Sequence, residues 1–347
     1  MAKTYGFGII GAGMIGEFHA KAIAGLERGK LVAVYDLKAE RAEQFGKKTG
    51  CRHYGDLDKF LSDKELDIVT IGTPSGVHME PAVSAAEHGK HVICEKPLDV
   101  TLERIDRMIE AHAKAGTQLG GVFNSRFEPV NQALKQLVQQ GRLGQITYAG
   151  GYVPWWRSQQ YFDEGGWKGT RKFDGGGALM NQGAHTVDLL QWLVGQKVRQ
   201  VTAFAATLAH KIEVEDVVSA ALEFENGAIG TLFASTAMFP GLPSRVELGG
   251  TGGTVVSEST TLKTLKLAEE KPEDEELRKR FGGEAAASGS TDPKAISAVN
   301  HQRNFQAFMD ALDARRVPEV DGQEARKAVQ IILAVYESAR LGRPVKL

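Results

Sequence analysis

Two residues in this chain are of a type and placement that could move a proton. Lys96 lies in Glu95-Lys96-Pro97, at the end of an apolar run, and His185 lies shortly after the triple glycine Gly175-Gly176-Gly177. A lysine at the mouth of a buried strand can hydrogen-bond a substrate hydroxyl, and partial desolvation lowers its pKa enough for proton transfer. Pro97 gives up an N–H and stiffens the turn, which fixes where Lys96 points. The bland alternative is a surface lysine after a strand, since lysine is mostly exposed. A neutral imidazole can take a proton from a carbinol as hydride leaves the same carbon. Lone helical histidines more often serve structure, but here the spacing predicts a helix to at least Leu193 with Asn181, His185 and Asp188 on one face. The three glycines would let a ligand come close, and Asn181 can donate to and accept from a polyol.

A third group could hold the hydride carrier. Residues 8–16 read Gly-Ile-Ile-Gly-Ala-Gly-Met-Ile-Gly, an apolar run breaking into a Gly-x-Gly-x-x-Gly turn before a helical pattern. Gly11 permits the tight turn, Gly13 keeps no side chain between backbone and a pyrophosphate, and Gly16 lets the helix pack on the sheet. With Met14 and Ile15 between them, these residues are expected to bind a dinucleotide. Asp36 ends the run Leu31-Val32-Ala33-Val34-Tyr35 at the spacing where a carboxylate meets the adenosine ribose. It would repel a 2′-phosphate, so the expected cofactor is NAD. Two further strand ends should border it: Thr73, Pro74 and His78 at one, Glu95 and Lys96 at the next. Asn124 and Arg126 follow the last strand of this series and could line the substrate. Trp155-Trp156-Arg157 through Tyr161, then Trp167 and Lys168, set aromatic planes beside cations. That suits a sugar, or a sugar carrying phosphate or carboxylate, and suits ordinary loop packing equally. His19 and Cys94 are read as structural, and no metal site is expected.

The elements that must position these residues change character along the chain. Up to residue 122, β-like runs at 7–10, 31–35, 68–72, 91–94 and 118–122 alternate with helical patterns, which predicts a doubly wound parallel sheet. Thr101 is the expected N-cap of one of those helices. Beyond a helix at 128–140 come longer β-like segments at 146–153, 198–208, 217–224, 228–237 and 245–256, with Asn226-Gly227 as a hairpin turn. They predict an open, mostly antiparallel sheet, hence a homodimer or homotetramer through its uncovered face. Residues 268–293 read as an exposed insertion, and two helices close the chain at 296–315 and 322–341. The expected domains are 1–123, binding NAD, and 124–347, an α+β substrate and oligomerisation domain whose final helices, 296–341, pack back on the first. A net charge of −1 gives no electrostatic case for nucleic acid or an anionic membrane, and no apolar run approaches the ~20 residues of a membrane span. Two distant cysteines and a first strand starting within five residues of the N-terminus point to the cytoplasm.

With these stretches in hand, the chain resembles the Gfo/Idh/MocA oxidoreductases, which include glucose–fructose oxidoreductase and inositol 2-dehydrogenase. The resemblance runs nearly end to end, through 8–16, 89–97, 175–188 and the tail 336–345. It implies a Rossmann domain, an open-sheet C-terminal domain, NAD(P), sugar or cyclitol substrates, and dimers or tetramers with the active site at the domain junction. By motif, Lys96 matches the family lysine and His185 the family acid–base histidine. One departure is Asn181, where many members have Asp: an amide cannot accept a proton from His185. In that respect the chain looks more like the branch that oxidises C3 of UDP-linked amino-sugar uronates. The expected activity is NAD-dependent oxidation or reduction of a secondary alcohol on a sugar, cyclitol or sugar nucleotide. The alternatives are an NAD-dependent glycosidase or lyase with transient redox, and a non-catalytic sugar or redox sensor.

Overall fold

The computed structural model describes residues 3–283 and 298–347. The chain divides into two compact units, 1–124 with 297–326, and 125–296 with 327–347.

The first unit alternates strand and helix: β1 (Tyr5–Ile10), α1 (Met14–Ala24), β2 (Gly29–Tyr35), α2 (Ala39–Thr49), β3 (Arg52–Tyr54), α3 (Leu57–Leu61), β4 (Ile68–Ile71), α4 (Met79–Glu87), β5 (His91–Cys94), α5 (Leu102–Ala115) and β6 (Leu119–Gly121). The strands form one parallel sheet in the order β3-β2-β1-β4-β5-β6. Connections leave β1 and β4 in opposite directions, which opens a crevice beyond their C-terminal ends. β1 is buried at every position, as a strand covered on both faces must be. Thr101 caps α5, its Oγ1 accepting from the Arg104 amide at 3.3 Å. In this unit periodicity missed β3, three polar residues at the sheet edge, too short and too exposed to carry a hydrophobic pattern.

The second unit begins with α6 (Pro129–Gln139), β7 (Ile146–Pro154) and α7 (Gln159–Asp163). After a π-helical turn at Ala178–Gln182 come α8 (Ala184–Val194), β8 (Val198–Ala206), β9 (Val217–Phe224), β10 (Ile229–Ser235), β11 (Arg245–Gly250), β12 (Gly253–Glu258), β13 (Thr261–Leu267) and α9 (Pro272–Phe281). The chain closes with α10 (Val299–Asp313), α11 (Gly322–Leu341) and β14 (Val345–Lys346). The eight strands run β13-β12-β11-β7-β10-β9-β8-β14, antiparallel except for the β7–β10 pair. Asn226-Gly227 makes the expected hairpin, with Gly227 at φ 85° and the Asn226 side chain accepting from the Ala228 amide at 3.1 Å.

Three expectations are corrected here. Residues 245–256 are not one strand: the run Gly249-Gly250-Thr251-Gly252-Gly253 turns the chain back, so β11 and β12 pair with each other. The stretch expected as an insertion opens with a helix, α9, whose buried Asp274 accepts from the Lys271 amide and from Arg142 at 2.7 Å each; residues 284–293 lie outside the described residues. The helix expected from 177 onward is two pieces. The Gly183 amide bonds to Ala178 O, an i→i+5 contact at 2.8 Å, before α8 starts at Ala184.

α10 belongs to the first unit and stacks Phe305 on Phe7 at 6.0 Å. α11 starts in that unit, where Arg326 grips Asp106 with two bonds of 2.6 and 3.0 Å, and continues in the second from residue 327. Among the described residues no helix is long and apolar enough to cross a membrane.

Candidate functional site

In the first unit the glycine turn leads from β1 into α1. Gly11 sits at φ 102°, and a Cβ on Gly16 would lie 2.2 Å from Gly11 O. Over Gly13 a Cβ would meet nothing within 4 Å, so this edge of the turn is open. No side chain caps α1, which leaves its first amides to bind an anion. Met14 is 46% exposed beside them, while Ile15 packs against Gly72. Both oxygens of Asp36 hold backbone amides, Ala12 at 2.9 Å and Lys38 at 2.9 Å. The carboxylate thus braces the glycine turn as well as ending β2, and its remaining lone pairs can take ribose hydroxyls. Thr73, at the end of β4, touches the same turn, and its buried Oγ1 has no hydrogen-bond partner among the described residues. An open glycine edge, free helix amides and an orphaned hydroxyl fit a dinucleotide. Replacing Asp36 by Ala is expected to weaken NAD binding by about 10–100-fold, the worth of a charge-assisted hydrogen bond. It should narrow the preference for NAD over NADP, as read from paired Kd titrations.

The His78 ring is enclosed by backbone. It is 1% exposed, and its nitrogens face two carbonyl oxygens, Pro97 O at 3.0 Å and Thr73 O at 2.9 Å. It ties the β4 and β5 ends together and so fixes Pro74 and Lys96 between them. Lys96 is half-buried, and its amide donates to Glu95 Oε2 at 3.1 Å. Glu95 Oε1 accepts from two imidazoles, His19 Nε2 at 3.1 Å and His301 Nε2 at 3.2 Å. Burial alone would raise the Glu95 carboxyl, but the hydrogen bonds from His19 and His301 outweigh it and hold the carboxyl well below its usual range. Burial pushes the His19 imidazole down. A carboxyl depressed on folding stabilises the native state fully above its unfolded pKa of ~4.3, and that contribution is lost as pH falls through the folded value. Wild-type Tm should therefore fall as pH drops below about 4. Glu95→Gln should flatten that limb in a calorimetric pH series. His301, 206 residues from Glu95, was invisible to sequence patterning. Its Nδ1 faces Asn124 Nδ2 at 3.3 Å, so Asn124 belongs to the same cluster.

In the second unit the triple glycine serves packing rather than ligand approach. Gly175 turns at φ 75°, a Cβ on Gly176 would lie 2.3 Å from the Tyr336 hydroxyl, and one on Gly177 would lie 1.7 Å from Glu215 O. Glu215 accepts from the amides of Gly177 and Leu179 at 2.9 Å each and from the Tyr336 hydroxyl at 2.8 Å. Tyr336 in turn accepts from the Met180 amide at 3.1 Å. A buried carboxylate and a phenol therefore hold the N-terminus of the π turn, and that turn sets where Asn181 and His185, both half-buried, begin. Burial raises the carboxyl of Glu215 and, with the neighbouring Glu215 charge, the phenol of Tyr336. Asn181 Nδ2 donates to Asp174 Oδ1 at 2.6 Å, which aims the amide.

The predicted face of Asn181, His185 and Asp188 does not hold together. Asp188 is fully buried and grips Arg126, itself 1% exposed, through bonds of 2.6 and 2.8 Å. They form a buried structural pair across which α8 is fixed, under the Trp192 ring 5.5 Å from the guanidinium. The aromatic loop does gather. Tyr161 lies between the Arg157 guanidinium at 5.4 Å and the Lys168 ammonium at 3.9 Å from its ring centre, with Gln182 Nε2 at 3.4 Å from its hydroxyl. Arg157 also stacks on Trp155 at 5.1 Å. Buried Trp155 Nε1 and Gln182 Oε1 have no partner among the described residues, which marks this cluster as one that expects a polar ligand. Burial pushes the Lys168 ammonium down and the Tyr161 phenol up. Trp167 is half-buried and ends a turn, its carbonyl accepting from Thr170 at 2.6 Å. The sequence brings Tyr161 into this stretch but gives no sign of Asp174 or Gln182 beyond their position beside the glycines.

Residues 5–122 match a family profile described as an oxidoreductase family with an NAD-binding Rossmann fold, and residues 131–256 match the GFO/IDH/MocA C-terminal domain. The structure is similar to the WlbA dehydrogenase from Bordetella pertussis, solved in complex with NADH and UDP-GlcNAcA, with a TM-score of 0.91, 33% identity and coverage of 100% of this chain and 99% of that one. Myo-inositol 2-dehydrogenase of Thermotoga maritima is 26% identical over 98% of each chain. The 2,7-anhydro-N-acetylneuraminate hydratase of Escherichia coli is 31% identical over 72% of this chain and 66% of its own length.

Proposed function

The chain belongs to the Gfo/Idh/MocA family of NAD-binding oxidoreductases and is an NAD-dependent dehydrogenase of a sugar-type alcohol; on that premise we propose that its substrate is a UDP-linked N-acetylamino-sugar uronate, oxidised at C3. The observation that carries this is the Arg157–Tyr161–Lys168 stack. Two cations on one half-buried ring, one of them with a depressed ammonium, gain most from a carboxylate or phosphate; a neutral polyol needs neither. The likeness to a dehydrogenase solved with UDP-GlcNAcA supports the same class.

Bound NAD supplies the hydride acceptor. The amides at the start of α1 would hold its pyrophosphate, Asp36 would take the adenosine ribose, and Thr73, Pro74 and Glu95 would border its nicotinamide half. Lys96 donates to the carbinol oxygen and polarises it, and Asn124 lines that end. His185 takes the hydroxyl proton. Asn181, held by Asp174, donates to a neighbouring substrate oxygen. Because an amide stands where a carboxylate could relay the proton onward, His185 passes it to solvent. Arg157 and Lys168 hold the acidic group, and Trp167 walls the sugar.

The test is NADH formation with UDP-GlcNAcA, UDP-GlcNAc and myo-inositol. The acidic nucleotide should exceed its neutral analogue by about 10-fold or more in kcat/KM, since a site built for a polar group discriminates strongly against its absence. Equal rates would sink the acidic-substrate reading. Substrate loss without NADH would favour the redox-neutral chemistry that the hydratase relative suggests. The uncovered sheet face exposes Phe204 at 81% and Ile229 at 61%, and we read it as the surface of a homodimer or homotetramer. A mass of one chain by light scattering would refute this. The unpaired thiols of Cys51 and Cys94 fit a cytoplasmic enzyme.

A further inference from the structure

We propose that His301, on α10, is a positioning residue for Lys96 and Asn124, acting through the buried carboxylate of Glu95. The proposal rests on the reading of Lys96 as the group that polarises the carbinol. The donors and acceptors of the cluster pair off in one consistent way. Asn124 Nδ2 donates to His301 Nδ1, so His301 Nε2 carries the proton it gives to Glu95 Oε1 at 3.2 Å. Thr70 Oγ1 stands 3.1 Å from His19 Nδ1 and 3.5 Å from Gly8 O, and His19 Nε2 gives its proton to the same carboxylate oxygen, which can only accept. Glu95 Oε2 is then left for the Lys96 amide at 3.1 Å. His19, His301 and Glu95 come close enough to hold an ion, their ligand atoms all within 4.8 Å of one another, but these hydrogen bonds already satisfy them.

The consequence is mechanical. His19 comes from α1, with Thr70 of β4 against its ring, and holds Glu95 Oε1. His301 holds the same oxygen through a separate bond and is the member supplied by the C-terminal part of the chain. Its ring is wedged against Phe18 at 6.3 Å, His19 at 5.8 Å and Phe305 at 6.5 Å, so it has little freedom to follow a moving carboxylate. Removing the imidazole frees Oε1 on that side and lets Glu95 turn. It also releases the Asn124 amide, in a step that leaves the glycine turn and Asp36 untouched.

The experiment compares His301→Ala, His301→Gln and Lys96→Ala with wild type. One readout is steady-state NADH formation from the nucleotide that proves active. The other needs no substrate: hydrogen exchange of the Lys96 amide, isolated in its peptide by Pro97, with β1 amides as control. We expect His301→Ala to lower kcat about 10-fold or more, with KM for NAD within about 2-fold, because the adenosine half is held elsewhere. Lys96 exchange should quicken about 10-fold or more while β1 is unchanged. His301→Gln, which restores a donor of similar reach, should recover part of both and serves where the alanine variant fails to fold. Unchanged kcat and unchanged Lys96 exchange in a folded His301 variant would overturn the proposal. If Lys96→Ala is inactive while His301→Ala is normal, the positioning claim alone fails. If Lys96→Ala is itself active, the reading of Lys96 fails and takes this proposal with it.

Discussion

Lys96→Ala and His185→Ala are each expected to lower kcat by about 10²–10⁴-fold, the span a positioned proton donor or acceptor supplies, while leaving NADH affinity within a few-fold. The asymmetry follows from where the cofactor is held. On the proposed roles its pyrophosphate and adenosine would meet backbone amides at the Gly11–Gly13–Gly16 turn and the Asp36 carboxylate, none of which depends on the Lys96 side chain. Lys96 is fixed locally by Glu95 and by the His78 bridge between Pro97 O and Thr73 O, so truncating its side chain leaves the strand end in place. His185 opens α8 just after the π turn, whose N-terminus is held by Glu215 and Tyr336 rather than by the imidazole. Stopped-flow hydride transfer and fluorescence titration of NADH separate the two quantities.

Asp188→Ala is expected to cost about 3–5 kcal/mol, the penalty of leaving a buried guanidinium without its carboxylate. For a unit of this size each kcal/mol moves Tm by roughly 2–4 °C, so the transition should fall by roughly 6–20 °C. Arg126→Ala should do the same from the other side and also strip the cation from the face of Trp192. Replacing both with well-packed apolar residues should recover much of the loss, because it removes both desolvation penalties together. Had these residues bound substrate, as their sequence positions suggested, the single variants would instead raise KM and leave the melt unchanged. Differential scanning calorimetry with kinetics on the folded fraction decides between the two.

What could be read from the sequence was whatever local rules write into a few adjacent residues. The turn at Gly11–Gly16 needs a left-handed residue, a bare backbone and a close helix, so its glycines announce it. Strands β1, β4 and β5 are buried and read as continuous apolar runs, the last ending beside Lys96, and the apolar half of β2 ends just before Asp36. β3 was missed because a three-residue edge strand buries almost nothing. The helical face of Asn181, His185 and Asp188 was misread because the π turn, forced by Glu215 and Tyr336 from other parts of the chain, breaks the 3.6-residue period. Arg126 and Asp188 look functional as isolated charges, and only their meeting across 62 residues shows that each neutralises the other. His301 joins Glu95 across 206 residues, a pairing no local pattern encodes. Triple glycine was read as room for a ligand, whereas the space is filled by a phenol and a backbone carbonyl.

The most direct test of the central claim is isotopic. UDP-GlcNAcA carrying deuterium at C3 is incubated with the enzyme and NAD, and the reduced cofactor is weighed by mass spectrometry. Transfer from the sugar carbinol to the nicotinamide predicts NADH heavier by one mass unit, in an amount equal to the sugar consumed, with a slowed single-turnover rate. Unlabelled NADH, or sugar consumed with no reduced cofactor at all, would contradict it.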